Sequence, residues 1–252
     1  MSKVSDPNAK GGNGFIWGVG VLLVIIAVVI GYIVWNGKQS DSNRVGDVNR
    51  EATEMGISYS EGVITLKSSH PVDNAAEVDL YEDYSCPHCA ELAEKTDERM
   101  KQEIESGRLI VNIHTLNFLD LGNQKMEDYL RDESIMLDSH STKSAGVVKA
   151  IAEQGDVETY WALRKYLMQN QSNVYEKWEI GDFADAAKRL GADSSVVKAV
   201  EQVSKEDGNG IGRSNDKTLK EQTGTVSSPR VLQDGKDISQ ENIFEWVDVA
   251  LK

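Results

Sequence analysis

The two cysteines of the 252-residue chain stand close together, in the segment Ser85-Cys86-Pro87-His88-Cys89. If a helix begins here, residues three apart share one face, and the two sulfur atoms come within bonding reach. Cys86 then faces the unpaired N–H groups and the positive end of the helix dipole, which favour a thiolate over a thiol. We therefore predict a lowered pKa for Cys86, and we expect Cys89, deeper in the first turn, to be the less accessible, resolving thiol.

The two residues between the cysteines suit this arrangement. Pro87 is favourable as the first helical residue, because its missing N–H is one that a helix leaves unpaired anyway. His88 can bring a further positive charge or hydrogen-bond donor near Cys86. Pro87 and His88 are therefore predicted to tune the reactivity of the thiols.

A structural disulfide and a zinc site are the alternative interpretations of a cysteine pair. Closing a loop of about four residues stabilises a fold by only about 2 kcal/mol. A structural zinc ion needs four protein ligands, and the histidines at positions 70, 114 and 140 show no ligand spacing. Thiol–disulfide exchange is thus the better use of the pair. The Cys86–Cys89 disulfide is the expected redox-active group, with no metal and no further cofactor.

Hydrophobic patterning places the cysteine pair between a strand and a helix. Three short segments rich in β-branched or aromatic residues are predicted as strands, at 63–66, 76–84 and 108–116. A helix is predicted over about 87–105, ending at Gly107.

A long helical region follows. Residues from about 120 to 220 show helical periodicity, broken by Gly-Asp and Gly-Ala-Asp signals. Within this region the glycine-rich segment 208–212 is predicted as a loop. A strand at Val231-Leu232, a turn at Asp234-Gly235 and a last helix over about 239–251 complete the pattern.

An apolar run from Phe15 to Trp35 contains no charged residue. At about 1.5 Å per residue it is long enough for the ~30 Å hydrocarbon core of a membrane. Trp17 near one end, and Tyr32 near the other, suit the interfacial aromatic belts. The run is too long for the apolar part of a signal peptide and lacks a small-residue cleavage site. We predict an uncleaved anchor with a cytoplasmic N-terminus, followed by a polar linker over 37–60.

The overall charge excludes one class of partner. The chain has 27 basic and 41 acidic residues, a formal net charge of −14. Nucleic-acid binding needs clustered basic side chains that neutralise phosphates. No nucleic-acid partner is therefore expected.

Two segments carry a resemblance to a known family. The segment from Glu77 to Cys89, with its CPHC, resembles the strand-to-helix segment of the DsbA-like thiol:disulfide oxidoreductases. Far downstream, residues 224–235 resemble the family's Gly-x-x-x-x-Pro segment and the hairpin after it. The resemblance implies a cis peptide bond between Ser228 and Pro229, facing the cysteines and holding a substrate strand.

Three positions depart from the family's pattern. Thioredoxin-like proteins often place a buried acid six residues before the first cysteine, where this chain has Leu80. Ser228 stands where valine or threonine is usual. Arg230, directly after the proline, is also unusual.

The resemblance implies an α/β thioredoxin-like fold with an inserted all-α helical domain, in addition to the one N-terminal transmembrane helix. The predicted organisation is a cytoplasmic tail over 1–14, the anchor over 15–36, the linker over 37–60, a thioredoxin-like domain over 61–119 and 221–252, and the helical insertion over 120–220.

The expected function is oxidation of exported proteins outside the cell membrane, in the manner of membrane-anchored disulfide-forming enzymes of Gram-positive bacteria. Its partners are then unfolded exported proteins with free thiols, membrane lipid around residues 15–36, and a quinone-linked reoxidase of the DsbB or vitamin K epoxide reductase-like type. A reductase or isomerase of the same fold is one alternative. A membrane-anchored chaperone or adhesion module with an inert disulfide is the other.

Overall fold

The computed structural model describes residues 23–30, 45, 50–239 and 242–252. Residues 23–30 are helical and their side chains are exposed. The rest of the predicted anchor lies outside the described residues. Within the described ranges, no helix combines the length and the apolar character needed to cross a membrane.

A mixed sheet of six strands forms the centre of the part of the chain described from residue 50 onward. Its spatial order is β1-β2-β4-β3-β5-β6, and β3 and β4 are parallel while the other neighbours are antiparallel. The strands are β1 (Met55–Ser60), β2 (Val63–Ser68), β3 (Ala76–Glu82), β4 (Leu109–Thr115), β5 (Arg230–Gln233) and β6 (Lys236–Asp237).

One long helix, α1 (Pro87–Glu105), connects the two parallel strands β3 and β4, as parallel neighbours require. The predicted helix is confirmed over the same residues. Beyond its end, Gly107 takes a φ of 77°, and a Cβ there would meet the His70 carbonyl oxygen at 2.6 Å. Glycine is therefore needed for the turn into β4.

The region between β4 and β5 is helical, as predicted. It begins with a 3₁₀ turn (Phe118–Leu121), and the α-helices are α2 (Met126–Arg131), α3 (His140–Glu153), α4 (Val157–Gln169), α5 (Gln171–Val174), α6 (Ile180–Arg189), α7 (Ser194–Glu201) and α8 (Lys205–Thr223). After β6 come a second 3₁₀ turn (Ile243–Glu245) and α9 (Trp246–Ala250).

The loop predicted at 208–212 is wrong, because these residues lie inside α8. Glycine is used there for close packing. A Cβ on Gly208 would lie 2.1 Å from the Thr142 carbonyl oxygen on α3, and one on Gly212 would lie 2.3 Å from the Asn117 side chain. The cluster of glycines thus lets α8 approach α3 and the end of β4 closely.

A buried ion cluster joins the helical region to the sheet. Arg164 on α4 is almost fully buried and binds both carboxylate oxygens of Glu82, at 2.8 and 2.7 Å. Its remaining nitrogen binds Asp97 on α1 at 2.7 Å. These contacts fix α4 against the end of β3 and against α1.

The linker prediction is wrong for residues 55–60, which form β1 at an edge of the sheet. The apolar residues Met55, Ile57 and Tyr59 alternate with small ones, a period of two that is typical of a half-buried strand. The last helix is also shorter than predicted, because residues 243–245 form a 3₁₀ turn and α9 begins at Trp246.

Candidate active site

The cysteine pair lies at the junction of β3 and α1. Cys86 is the N-cap of α1 and Pro87 occupies the first helical position, as predicted. The backbone N–H groups of Cys89 and Ala90 both donate to the Cys86 carbonyl, at 3.1 Å. The helix therefore begins at the first cysteine and sets both sulfur atoms at its positive end.

Both cysteines are free thiols in this structure and both are buried, with exposed fractions of 6% for Cys86 and 2% for Cys89. A hydrogen bond from the Cys89 thiol lowers the pKa of Cys86 to about 5, against the effect of burial and with help from the backbone N–H groups of Cys89 and His88. Burial, together with the same hydrogen bond, raises the pKa of Cys89 well above its ordinary value. The two thiols thus differ in acidity in the predicted direction.

The side chains of Pro87 and His88 are exposed at the start of α1. His88 lines a groove beside the cysteines. The contribution to Cys86 that the structure shows comes from the backbone N–H of His88. Tuning by the imidazole remains a prediction.

The distant proline segment lies against Cys86. The Ser228–Pro229 peptide bond is cis, as the resemblance implied, and the Ser228 carbonyl oxygen is 3.6 Å from Cys86 Sγ. Antiparallel pairing of β5 with β3, with Arg230 opposite Tyr81, brings the segment there. Its part in holding a substrate stays a prediction.

Arg230 braces this segment. Its Nε donates to the Ser227 hydroxyl at 3.0 Å and its Nη2 to the Thr225 hydroxyl at 3.2 Å, while Nη1 forms an ion pair with Asp237 at 2.5 Å. All three nitrogens are engaged, so the unusual arginine ties the residues before Pro229 to β6.

A groove runs from His88, which lies between the two cysteines in the sequence, along Arg230 and its partner Asp237. It is open to solvent and combines polar residues with an apolar wall formed by Ile243 and Phe244. Its other lining residues are His88, Glu91, Ser228, Pro229, Arg230, Asp237 and Ser239.

The helical region supplies contacts that sequence reasoning missed. Gln171 on α5 donates from its amide nitrogen to the carbonyls of Tyr84 and Cys86, at 2.8 and 3.0 Å. Asp83, between β3 and the cysteines, is completely buried and binds Ser141 of α3. In the sequence, Asp83 is one of several acidic residues near the cysteines, and nothing distinguishes it from the others. No sequence signal points to Gln171. Leu80, at the position where an acid is frequent, is buried in the hydrophobic core.

Comparison with known proteins agrees with this geometry. A family model described as Thioredoxin matches residues 73–252. A search of curated protein sequences gives no match.

Among solved structures, MdbA of Corynebacterium diphtheriae, a thiol-disulfide oxidoreductase, is 41% identical with a TM-score of 0.73, covering 82% of this chain and 99% of its own. MdbA of Corynebacterium matruchotii, also a thiol-disulfide oxidoreductase, is 35% identical with a TM-score of 0.70, covering 80% and 95%. BdbD of Bacillus subtilis shares the fold at 16% identity, with a TM-score of 0.54 and coverage of 80% and 97%. The chain therefore belongs to the DsbA-like protein thiol:disulfide oxidoreductases of the thioredoxin superfamily.

Proposed function

We propose that this oxidoreductase works as an oxidase that introduces disulfide bonds into exported proteins, outside the cytoplasmic membrane. The observation that carries the proposal is the position of Cys86 as the N-cap of α1, where the Cys89 thiol and backbone N–H groups lower its pKa. A stabilised thiolate stabilises the reduced enzyme, and this makes the Cys86–Cys89 disulfide a stronger oxidant.

The reaction proceeds by two exchanges. A substrate thiolate attacks Cys86 Sγ, the bond to Cys89 breaks, and Cys89 leaves with the electron pair. A second substrate thiolate then attacks the substrate sulfur of the mixed disulfide and releases Cys86 as a thiolate, which is a good leaving group because of its low pKa. In this proposal the Ser228 backbone and Pro229 hold the substrate strand beside Cys86.

The direction of the reaction is tested by the reduction potential of the full chain, equilibrated with glutathione buffers. We expect a value well above that of thioredoxin, which lies near −270 mV, and towards that of DsbA, near about −120 mV. A potential at or below about −250 mV contradicts the oxidase and indicates a reductase or isomerase.

The substrates are tested by trapping. A Cys89→Ala variant should accumulate mixed disulfides through Cys86 with exported proteins, and the matched Cys86→Ala variant should accumulate none. A Cys86→Ala variant that keeps full activity in refolding of reduced substrates would instead support a chaperone or adhesion module.

The proposed location rests on the apolar run over 15–36. Attachment to the cell membrane would keep the enzyme in the same layer as a quinone-linked reoxidase and raise their effective concentration. We expect the full chain to fractionate with membranes and to be degraded by protease added to intact protoplasts. Depletion of quinone should shift the Cys86–Cys89 pair, trapped by alkylation in cells, towards the dithiol. A chain that stays in the cytosolic fraction contradicts this part of the proposal.

A further inference from the structure

A second groove lies beside the residues that lead to Pro229. It is open to solvent, has a volume of about 610 Å³, and lies between the start of the helical insertion and the chain that leaves α8. Leu119, in the 3₁₀ turn of the insertion, is 41% exposed there. The apolar residues of the lining are Phe118, Leu119, Leu121, Met126 and Val226. A concave apolar surface of this size is typical of a binding site.

The groove has a packed floor. Phe118, at the start of the insertion, and Val226, just ahead of Pro229, are both half-buried against a small separate core cluster. The members of this cluster are Tyr81, Leu116, Leu219 and Leu232. The floor therefore joins the insertion to the sheet.

Hydrogen bonds hold both walls in place. On one side, Arg230 Nη2 donates to the Thr225 hydroxyl at 3.2 Å, and Gly224 ends α8 with a φ of 80°. On the other side, the Leu119 backbone N–H donates to Asp83 Oδ2 at 3.3 Å. The groove is therefore preformed, and a ligand can enter it with little ordering of the protein.

One segment of chain connects this groove to the cysteine site. Residues 224–226 line the groove at the insertion, whereas residues 228–230 line the groove beside His88. The Ser228 carbonyl oxygen is 3.6 Å from Cys86 Sγ. An extended polypeptide bound along this segment advances about 3.3 Å per residue, so it passes from Ser228 to Thr225 within about three residues.

The polar part of the lining provides no unpaired charge for a ligand. Among the lining residues, Lys220 and Glu127 carry charge, and they form an ion pair with each other at 2.8 Å. Gln124 and Thr225 are neutral. The groove therefore fits an uncharged apolar side chain better than an anion or a cation.

We propose that this groove binds an apolar side chain of the substrate polypeptide, about three residues from the cysteine that forms the mixed disulfide with Cys86. Through Leu119 the helical insertion then takes part in substrate selection, and the two grooves bind opposite flanks of the substrate strand. The inference rests on the proposed function, in which Ser228 and Pro229 hold that strand.

Reduced peptides with one pair of cysteines test the groove. Leucine is placed three residues before the first cysteine in one peptide and three residues after the second cysteine in another, and a third peptide has serine at both places. The oxidised full chain should show a KM about tenfold lower for one of the two leucine peptides than for the serine peptide, with kcat little changed. This ratio is the scale expected for half-burying one leucine side chain.

Variants then locate the preference. In Leu119→Asn the ratio of the two KM values should fall from about tenfold to at most about twofold, because the apolar wall is lost. Val226→Thr, which changes polarity at nearly constant volume, should lower the ratio in the same way. The matched control is Val72→Asn, which alters an apolar side chain that is 47% exposed outside the groove and should keep the full ratio.

Equal KM values for the leucine and serine peptides in the native chain would overturn the inference. A ratio that survives Leu119→Asn, or that falls equally in Val72→Asn, would overturn it as well. Sedimentation of the native chain as a dimer that Leu119→Asn dissociates would assign the groove to a second copy of this chain instead.

Failure of the proposed function is detected separately, by the reduction potential. If the potential contradicts the oxidase, the reduced chain acts on the disulfide forms of the same three peptides, and the same ratio of KM values tests the groove in that direction.

Discussion

The surroundings of the two cysteines are built in different ways, although one helical turn separates the thiols. Cys86 meets backbone N–H groups at the start of α1 and the Ser228 carbonyl oxygen beside Pro229. Cys89 faces the interior, where Asp83 and Ser141 form a buried polar network. The comparison shows that the two acidities have different origins, because the lowered pKa of Cys86 comes mainly from donors within the CPHC turn and the raised pKa of Cys89 comes mainly from burial. Hydrogen-bond donors at the start of α1 favour the thiolate of Cys86 against the effect of burial, and burial favours the thiol of Cys89.

The largest expected contrast is in acidity. In the reduced full chain, ultraviolet absorption of the thiolate should show a transition with a midpoint at about pH 5, from an ordinary pKa of 9.0. The Cys86→Ala variant should lack this transition. The Cys89→Ala variant should move the midpoint upward, because the Cys89 thiol is the strongest contributor to the lowered pKa.

The same shift has a consequence for stability. The folded state lowers the pKa of Cys86, so its contribution to the free energy of unfolding of the reduced enzyme is complete above pH 9 and is lost as pH falls through about 5. Urea unfolding of the reduced and oxidised forms between these pH values should show the reduced form gaining stability as pH rises. A pH-independent difference would contradict the assignment of the thiolate.

The next largest effect concerns the buried ion cluster that joins the helical insertion to the sheet. Arg164→Met leaves Glu82 and Asp97 buried without their shared cation, and should cost about 3–5 kcal/mol in the free energy of unfolding. Urea denaturation measures this. Lys95→Ala, which removes the exposed pair with Glu91, is the control and should cost at most about 1 kcal/mol. Equal losses in the two variants would mean that the cluster does not secure the insertion.

A smaller loss in the free energy of unfolding is expected when the turn that carries the cysteines loses a side-chain contact from the insertion. Gln171→Ala removes donors from the carbonyls of Tyr84 and Cys86 and should cost about 1–3 kcal/mol in the free energy of unfolding. Gln102→Ala, on the exposed face of α1, serves as the comparison and should have little effect. Similar behaviour of the two variants would show that the turn holds its shape without the insertion.

The smallest effect is predicted on the substrate side. Arg230→Met removes the brace on the segment before Pro229 and should raise the KM for a reduced peptide by about fivefold, the equivalent of one hydrogen bond of about 1 kcal/mol, with kcat little changed. Peptide oxidation kinetics measure this, with Lys236→Met on β6 as the exposed control. A fall in kcat at constant KM would place the role of Arg230 in the chemical step instead.

Local signals in the sequence predicted the surroundings of Cys86 well. The start of α1 follows from Pro87 and the strand before it, and the position of Pro229 follows from the family resemblance. The buried surroundings of Cys89 could not be predicted in this way. Asp83 is one of several acids near the cysteines, and its burial depends on Ser141, far along the chain. The strand β1 was missed because its apolar residues alternate with Gly56 and Ser58 in a polar stretch.

The contacts between the helical insertion and the catalytic turn bear on how such enzymes change over evolution. Arg164, Gln171 and Ser141 each lie in the insertion, and each binds the segment from Glu82 to Cys86. In a chimaera that carries the insertion of a relative, the side chains that contact Glu82 and Asp83 would come from the relative. Exchange between relatives should therefore succeed only when the segment ahead of the first cysteine is transferred together with the insertion.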